Sequence, residues 1–313
     1  MRRIRLLVVL GVVCAALAVP YLIFMIRPPV LIITEAPFAA LYGEANLRRQ
    51  RDSVSRALFR QVKPVKLADG VSHDMVIYAI SEGSSRPFCV LFPYTQAQAA
   101  LRFHEQFPEI PAVVLSGLAP VSGLSPDGFL CVYGTDREAD LYRAGLCAGI
   151  LGVARRDVAQ QTEKQAEIQP ESAARMYVLW QDRFVQAAGR ELFSRGVKEE
   201  DPESNVLFIN TAAQMPDVRG ISAVTLTGAG AEYLEKNPSI PVILFTWLDP
   251  ALTAQEVAVQ FDDSPWALAV PAVRMAVQQE AEGKIPSNPL IFPGKTADNT
   301  VSRALKKSVK KMP

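Results

Sequence analysis

The chain has 313 residues, enough for about two domains of ordinary size, and its 49% hydrophobic and 21% charged residues rule out a disordered tail protein. The formal net charge of +1 hides a segregation. Residues 1–27 hold four Arg and no acid, residues 301–313 hold one Arg and four Lys and no acid, and the stretch between them is left at −8. So negative a body argues against a nucleic-acid partner, and only two histidines, His73 and His104, argue against a histidine-rich metal or catalytic centre.

Arg2, Arg3 and Arg5 precede an uncharged run from Leu6 to Ile26, closed by Arg27, Pro28 and Pro29. At about 1.5 Å per residue, this run is long enough to cross the roughly 30 Å hydrocarbon core. Positive charge ahead of it holds that end in the cytoplasm and sends the body outside. A cleaved secretory signal ending near Ala15, Ala16 and Ala18 is the competing reading, and a lipid-modified Cys14 is a third; the length of the run favours the retained anchor. All three export the body. Of the four cysteines Cys89, Cys131 and Cys147 lie in the body, an odd number that leaves no complete disulfide framework, and their apolar flanks read as sites of buried, inert thiols.

From Val30 the chain alternates strand and helix. VLIIT ends at Thr34, a helical pattern runs from about Phe38 to Phe59, and PVKLAD is a short strand. DMVIYAISEG reads either as a helix with Asp74 at its N-cap or as a strand. FCVLF from Phe88 is a strand, TQAQAALRFHEQF a helix capped by Thr95, and PAVVLSG and FLCVYG two further strands, followed by a helix from Asp136 to about Leu151. Residues 154–172, polar and rich in Gln and Glu, read as a surface connection. The alternation then restarts: strand ARMYVLWQ, helix Asp182 to about Arg195, strands NVLFINTA and SAVTLTG, helix through Glu232 to Lys236, and strand PVILFTW. Strands apolar throughout and separated by helices imply parallel sheets covered on both faces, and two successive runs of them imply two doubly wound α/β lobes. Such sheets take ligands beyond the carboxyl ends of their strands.

Few catalytic motifs survive inspection. GAGAEY, Gly228 to Tyr233, lacks the third glycine of a dinucleotide fingerprint and reads as a tight turn into a helix. GKT at Gly294 to Thr296 lacks the earlier glycine of a phosphate loop, and no nucleophile elbow occurs. Asp262 and Asp263 after VAVQF can serve acid/base or cation chemistry, although DDSPW before an apolar helix suits capping better, with one carboxylate also able to face a ligand. Phe38, Tyr94, Trp180 and Trp247 each fall at or just past a strand's carboxyl end, where aromatic faces sandwich a sugar, nucleoside or other planar ligand. The final stretch, RALKKSVKKMP, reads as a solvated basic tail that could also touch a membrane surface.

In the order of these elements the body resembles the type I periplasmic solute-binding proteins, the superfamily that includes ribose-binding proteins and the effector domains of lactose-repressor-type regulators. The resemblance spans about residues 30–295 and is carried by VLIITEAPF, CVLFPYTQAQAA, IPAVVLSG, VYGTDREADLYRAGLCAGIL, VLWQDRFVQAAGREL, SIPVILFTWLDP and VQFDDSPWALAVPAVRMA. It implies an α/β protein of two doubly wound parallel-sheet lobes joined by a three-strand hinge, preceded here by an N-terminal membrane helix in residues 1–29. The first lobe would hold 30–134 with 262–285 returning to it in a helix from Pro265 to Glu282, the second 135–261 with 286–297, and 298–313 the basic tail. Crossings would fall near Gly134 to Asp136, Gln260 to Asp263 and Ile285 to Leu290.

Carried over by position, the resemblance implies ligand contacts from Glu35, Phe38 and Tyr94 in the first lobe. In the second it implies Gln181, Arg183, Gly228 and Trp247, with Gln260 or Asp262 at the hinge. Where sugar-binding members often have an Asp-Arg pair after the fourth strand, this chain has Ser116 and Gly117, which counts against a simple monosaccharide; Arg183 can pair with a ligand carboxylate or phosphate. The implied function is extracytoplasmic capture of a small molecule for delivery to an ABC-type permease, without catalysis, cofactor or nucleic acid. A ligand-sensing module for a membrane signalling partner is the alternative.

Overall fold

A computed structural model describes residues 18–36, 44–68, 70–84, 86–116, 123–163, 175–179, 187–209, 222–225, 242–245, 257–291 and 299–311. The chain divides into two compact units, Met1–Gly134 with Pro265–Ile285 and Thr135–Ser264 with Pro286–Pro313, so it passes from one to the other at three places.

The first unit is built on a six-stranded sheet. Its strands are β1 (Val30–Glu35), β2 (Val62–Leu67), β3 (Cys89–Pro93), β4 (Ala112–Ser116), β5 (Leu130–Thr135) and β11 (Glu282–Ile285), in the order β11-β5-β4-β3-β1-β2. The first five are parallel, with Val30 opposite both Val62 and Cys89 and Ala112 opposite both Val90 and Leu130. Alternation along β1 explains its apolar run. Val30 and Ile32 join one core with Leu47 and Val54 of α2 (Glu44–Leu58) and with Trp266, Ala269 and Val273 of α7 (Pro265–Val277). Leu31 and Ile33 join the other with Val76 and Ile80 of α3 (His73–Gly83) and Ala100 and Phe103 of α4 (Ala97–Gln106). Each such Leu, Ile or Phe contributes about 1.5–3 kcal/mol of apolar burial, which is why the central strands β1, β3 and β4 are apolar on both faces while the edge strand β2 exposes Lys63 and Lys66.

Several local expectations are corrected here. DMVIY is helical, because Val76, Ile77 and Ile80 present one buried face at helical spacing, and its cap is Ser72, whose side chain accepts from the Met75 N–H, rather than Asp74. Asp74 lies in the first turn and pairs with Arg102 at 2.6 Å. Thr95 does not cap α4; it sits in a 3-10 turn, Tyr94–Gln96. Helix α7 stops at Val277 instead of Glu282, Gln279 takes a left-handed φ of 59°, and residues 282–285 join the sheet beside β5. Pairing with an open sheet edge outweighs the helix propensity of that Gln- and Glu-rich stretch.

The second unit repeats the plan. Strand β6 (Arg175–Leu179) lies between β7 (Asn205–Ile209) and β8 (Ser222–Thr225), both parallel to it. Strand β10 (Val257–Asp262) pairs in parallel with β9 (Val242–Phe245) and antiparallel with β12 (Asn288–Ile291), and β8 lies beside β9. Helix α5 (Arg137–Glu163) starts where expected, with Asp136 Oδ1 accepting from the Ala139 N–H, but runs twelve residues past Leu151. The stretch ARRDVAQQTE is polar yet contains no Gly or Pro, and seven of its ten residues are the good helix formers Ala, Arg, Gln and Glu, so its polarity does not end the helix. Helix α6 (Ala187–Glu200) likewise continues past Arg195, while residues 181–186 and the helix expected at 232–236 lie outside the described residues. The basic C-terminal stretch is a packed helix, α8 (Asn299–Ser308), with Leu305 and Val309 buried in the core it shares with α5 and α6.

Residues 18–26 form a helix, α1, with Val19, Tyr21, Leu22, Ile23, Met25 and Ile26 all exposed. Among the described residues no helix is long and apolar enough to cross a membrane; residues 6–17 of the uncharged run lie outside them.

Candidate functional site

The strand order β2-β1-β3-β4-β5 reverses direction between β1 and β3, and open α/β sheets form a crevice at the carboxyl ends of such a pair. In the first unit β1 ends there in Glu35, and β3 ends in Pro93, which leads into the 3-10 turn Tyr94–Gln96. That turn reaches back across the switch point. Glu35 Oε1 accepts from Thr95 Oγ1 at 2.8 Å and from Gln96 Nε2 at 2.9 Å. Two donors on one oxygen fix the carboxylate's orientation, and its Oε2 makes no hydrogen bond to any described residue. Tyr94, 48% exposed, sits at the same edge. The neighbouring strand β4 ends in Ser116, buried, opposite Gly134 of β5. The edge therefore combines an oriented anion, an open acceptor and an exposed aromatic ring.

Glu35 and Tyr94 are thus brought together. Phe38, Gln181, Arg183, Gly228 and Trp247, with Trp180 and Asp249, lie outside the described residues. Gln260 is half-buried in β10, between Leu244 and Leu290 in register. Asp262, at the end of β10, is 1% exposed, and its Oδ1 accepts from the Ser264 N–H at 2.9 Å just before α7 begins. That is the geometry of a capping turn. Asp263 accepts from Thr135 Oγ1 at 3.4 Å.

Sequence reasoning missed Thr95 and Gln96 as partners of Glu35. The signal was present: two polar side chains follow Tyr94 just past the end of a buried strand, on the strand adjacent to β1. It also missed a buried ionic cluster at the start of α5. The Asp140 carboxylate, fully buried, accepts from the Ser287 N–H at 3.1 Å and from its hydroxyl, and pairs with Arg143, which itself donates to Ser287 O at 2.9 Å. Burial pushes the Asp140 carboxyl above its ordinary value, and the opposing pull of Arg143 and Ser287 does not cancel it. The cluster pins α5 to the stretch through which the chain re-enters the second unit.

No candidate nucleophile appears among the body's cysteines. All three are free and buried, and burial raises their thiols, Cys147 to about 12, so they stay protonated at neutral pH.

No family model matches the chain, and no curated protein matches it. Among solved structures, a transcriptional activator of the comK gene from Bacillus halodurans is similar over 92% of this chain and 100% of its own, at 13% identity and a TM-score of 0.50. A XylFII–LytSN complex mutant is similar over 87% of this chain and 99% of its own, at 12% identity and a TM-score of 0.49. An ABC transporter periplasmic solute binding protein from Actinobacillus succinogenes, with bound D-allose, is similar over 88% and 99%, at 11% identity and a TM-score of 0.44. The similar structures are mostly type I periplasmic sugar-binding proteins. The resemblance read from the sequence holds at the level of the fold.

Proposed function

We propose that this chain is an exported solute-binding protein, held at the cytoplasmic membrane by its N-terminal apolar run, which captures a small polar molecule and delivers it to an ABC-type importer. The observation that carries the reading is the carboxylate of Glu35, oriented by Thr95 and Gln96 at the switch point, with Oε2 left to accept from a ligand and the exposed Tyr94 in the turn at the same sheet edge. An oriented acceptor next to an aromatic face suits a polyhydroxylated or amine-bearing solute, whose donors meet the carboxylate while its C–H face lies on the ring. Phe38 from the first unit and Gln181, Arg183, Gly228, Trp247 and Gln260 from the second are the further contacts we propose, with Asp262 holding the turn behind Gln260. Binding alone, without bond chemistry, is the role proposed.

Native mass spectrometry of the purified full chain, followed by a thermal-shift screen of the compounds found, tests the reading. We expect a co-purifying small polar molecule whose thermal shift is reduced in Tyr94→Ala and Glu35→Gln. Ligand shifts equal to wild type in both variants would overturn the site.

A further inference from the structure

Strands β1 to β5 are parallel, so their amino ends share one edge of the first sheet, opposite the edge that bears Glu35 and Tyr94. Helix α1 joins the body at that amino edge through Arg27, Pro28 and Pro29 alone, and the two prolines restrict the backbone between helix and strand. Side chains then fasten the junction. The Phe24 and Phe59 rings lie 5.9 Å apart, and the Arg27 guanidinium sits 5.1 Å from the Phe59 ring centre. Gln61 Nε2 donates to Met25 O at 3.4 Å. Arg60 donates to Pro28 O at 3.3 Å while its guanidinium lies 3.6 Å over the Phe88 ring.

Two features of this edge do not suit water. Phe59 holds a left-handed φ of 50°, a conformation that costs a bulky residue and usually falls to glycine after a helix, and yet its side chain is 41% exposed. Val277, 56% exposed, borders an open hollow of about 340 Å³ also lined by Pro28, Arg86, Phe88 and Phe129. The exposed apolar residues of α1 occupy every side of the helix rather than one stripe, so it needs apolar surroundings all round. Upstream, the sequence continues without charge back to Leu6.

We propose that the amino edge of the first sheet seats on the lipid surface. Helix α1 enters the bilayer, Phe59 and Val277 lie in the headgroup layer, and Arg27 and Arg60 meet lipid phosphates. The edge bearing Glu35 and Tyr94 is then turned away from the membrane, about 20 Å further out by the six-residue length of β1. The inference rests on the retained anchor of the proposed function. Its consequence is that a permease in the same bilayer cannot reach the ligand while the edge is seated, so transfer to it requires the body to lift from the lipid, whereas a partner with a domain standing clear of the bilayer reads the outward edge directly.

The test uses the full chain with Cys14→Ser, carrying a nitroxide at Val277→Cys, Phe59→Cys or Tyr94→Cys, in vesicles of phosphatidylcholine and phosphatidylglycerol. The buried thiols Cys89, Cys131 and Cys147 are protected from labelling. Collision with an aqueous nickel chelate is expected to be severalfold slower at 277 and 59 than at 94, with oxygen collision enhanced at the first two. Hydrogen exchange of the unlabelled chain is expected to slow at residues 59–61 and 276–279 when detergent is replaced by vesicles. Vesicle-bound protein with all three labels equally aqueous would overturn the seating and leave the anchor standing. A chain that fails to float with the vesicles would overturn both, while ligand binding, measured separately, would still decide the solute-binding reading.

Discussion

In the first unit the sheet lies between two apolar clusters, and the only buried polar side chains described there are Thr34 and Ser116. The second unit holds its strands in two three-stranded sheets, β7-β6-β8 and β9-β10-β12, and every charged side chain buried among the described residues belongs to it: Asp140, Arg143, Asp201 and Asp262. Its helices α5 and α6 also approach backbone to backbone, because Gly145, Gly149 and Gly196 stand where they meet. A Cβ on Gly145 would run into the Phe193 carbonyl, and one on Gly196 into the Tyr142 carbonyl. The first unit is thus held by apolar burial with few buried polar groups, and the second by apolar burial joined to buried ionic pairing and close helix contact. The two should therefore respond differently to substitution and to pH.

The sharpest contrast is between glycines. Gly196→Leu should destabilise the second unit by upwards of about 4–5 kcal/mol, seen as an early thermal transition, because backbone lies where the side chain must go. Gly83→Ala in the first unit, whose Cβ would meet only Leu31 and Val65 side chains at 3.6 Å, should change stability by less than about 1 kcal/mol. Equal effects would break the comparison.

Next in size are two core substitutions of similar cost and opposite pH behaviour. Phe103→Ala should cost about 3–5 kcal/mol at any pH, since it removes only apolar burial. Arg143→Met should cost about 3–5 kcal/mol at neutral pH by leaving Asp140 buried and unpaired. A carboxyl whose folded value is raised adds most stability below its ordinary value of 3.8 and loses it as pH climbs through the folded value. The Arg143→Met deficit should therefore shrink as pH falls toward 4 in denaturant titrations, and the Phe103→Ala deficit should not.

Smaller effects sharpen the picture at the first unit's two edges. Thr95→Val removes one donor to Glu35 and should cost about 1 kcal/mol of ligand affinity by calorimetry, with little change in stability. Asp127, at the amino edge, is held below its ordinary value chiefly by the Leu130 N–H, with help from the Phe129 N–H and His104. A lowered carboxyl adds stability above 3.8 and loses it as pH falls below that. Asp127→Asn should therefore lower stability slightly in the neutral region, flatten the acid limb of the stability curve, and converge with wild type as pH falls below the folded value.

Strands were the most legible elements because burial on both faces leaves uninterrupted apolar runs, as in VLIIT, CVLFP and VAVQF. Helix ends were harder. The polar extension of α5, the early stop of α7 and the packing of α8 depend on contacts far along the chain that composition does not reveal. The Asp140 cluster joins residues 147 apart in sequence, so nothing local announced it beyond an Asp and an Arg one helical turn apart. At the candidate site, Tyr94 was legible from its strand end, whereas Glu35 came only from the family resemblance; a doubly wound sheet makes those two ends neighbours. The role of Thr95 was not, because a threonine before a helix looks the same whether it caps that helix or bonds to the next strand.

Isothermal titration of the co-purifying molecule against wild-type chain and Glu35→Gln tests the central claim most directly. With the oriented anion at the switch point as the principal contact, the substitution should weaken binding by about 1.5–3 kcal/mol, roughly 10- to 100-fold in Kd, while the thermal transition of the unliganded protein stays put. An unchanged Kd would contradict the account.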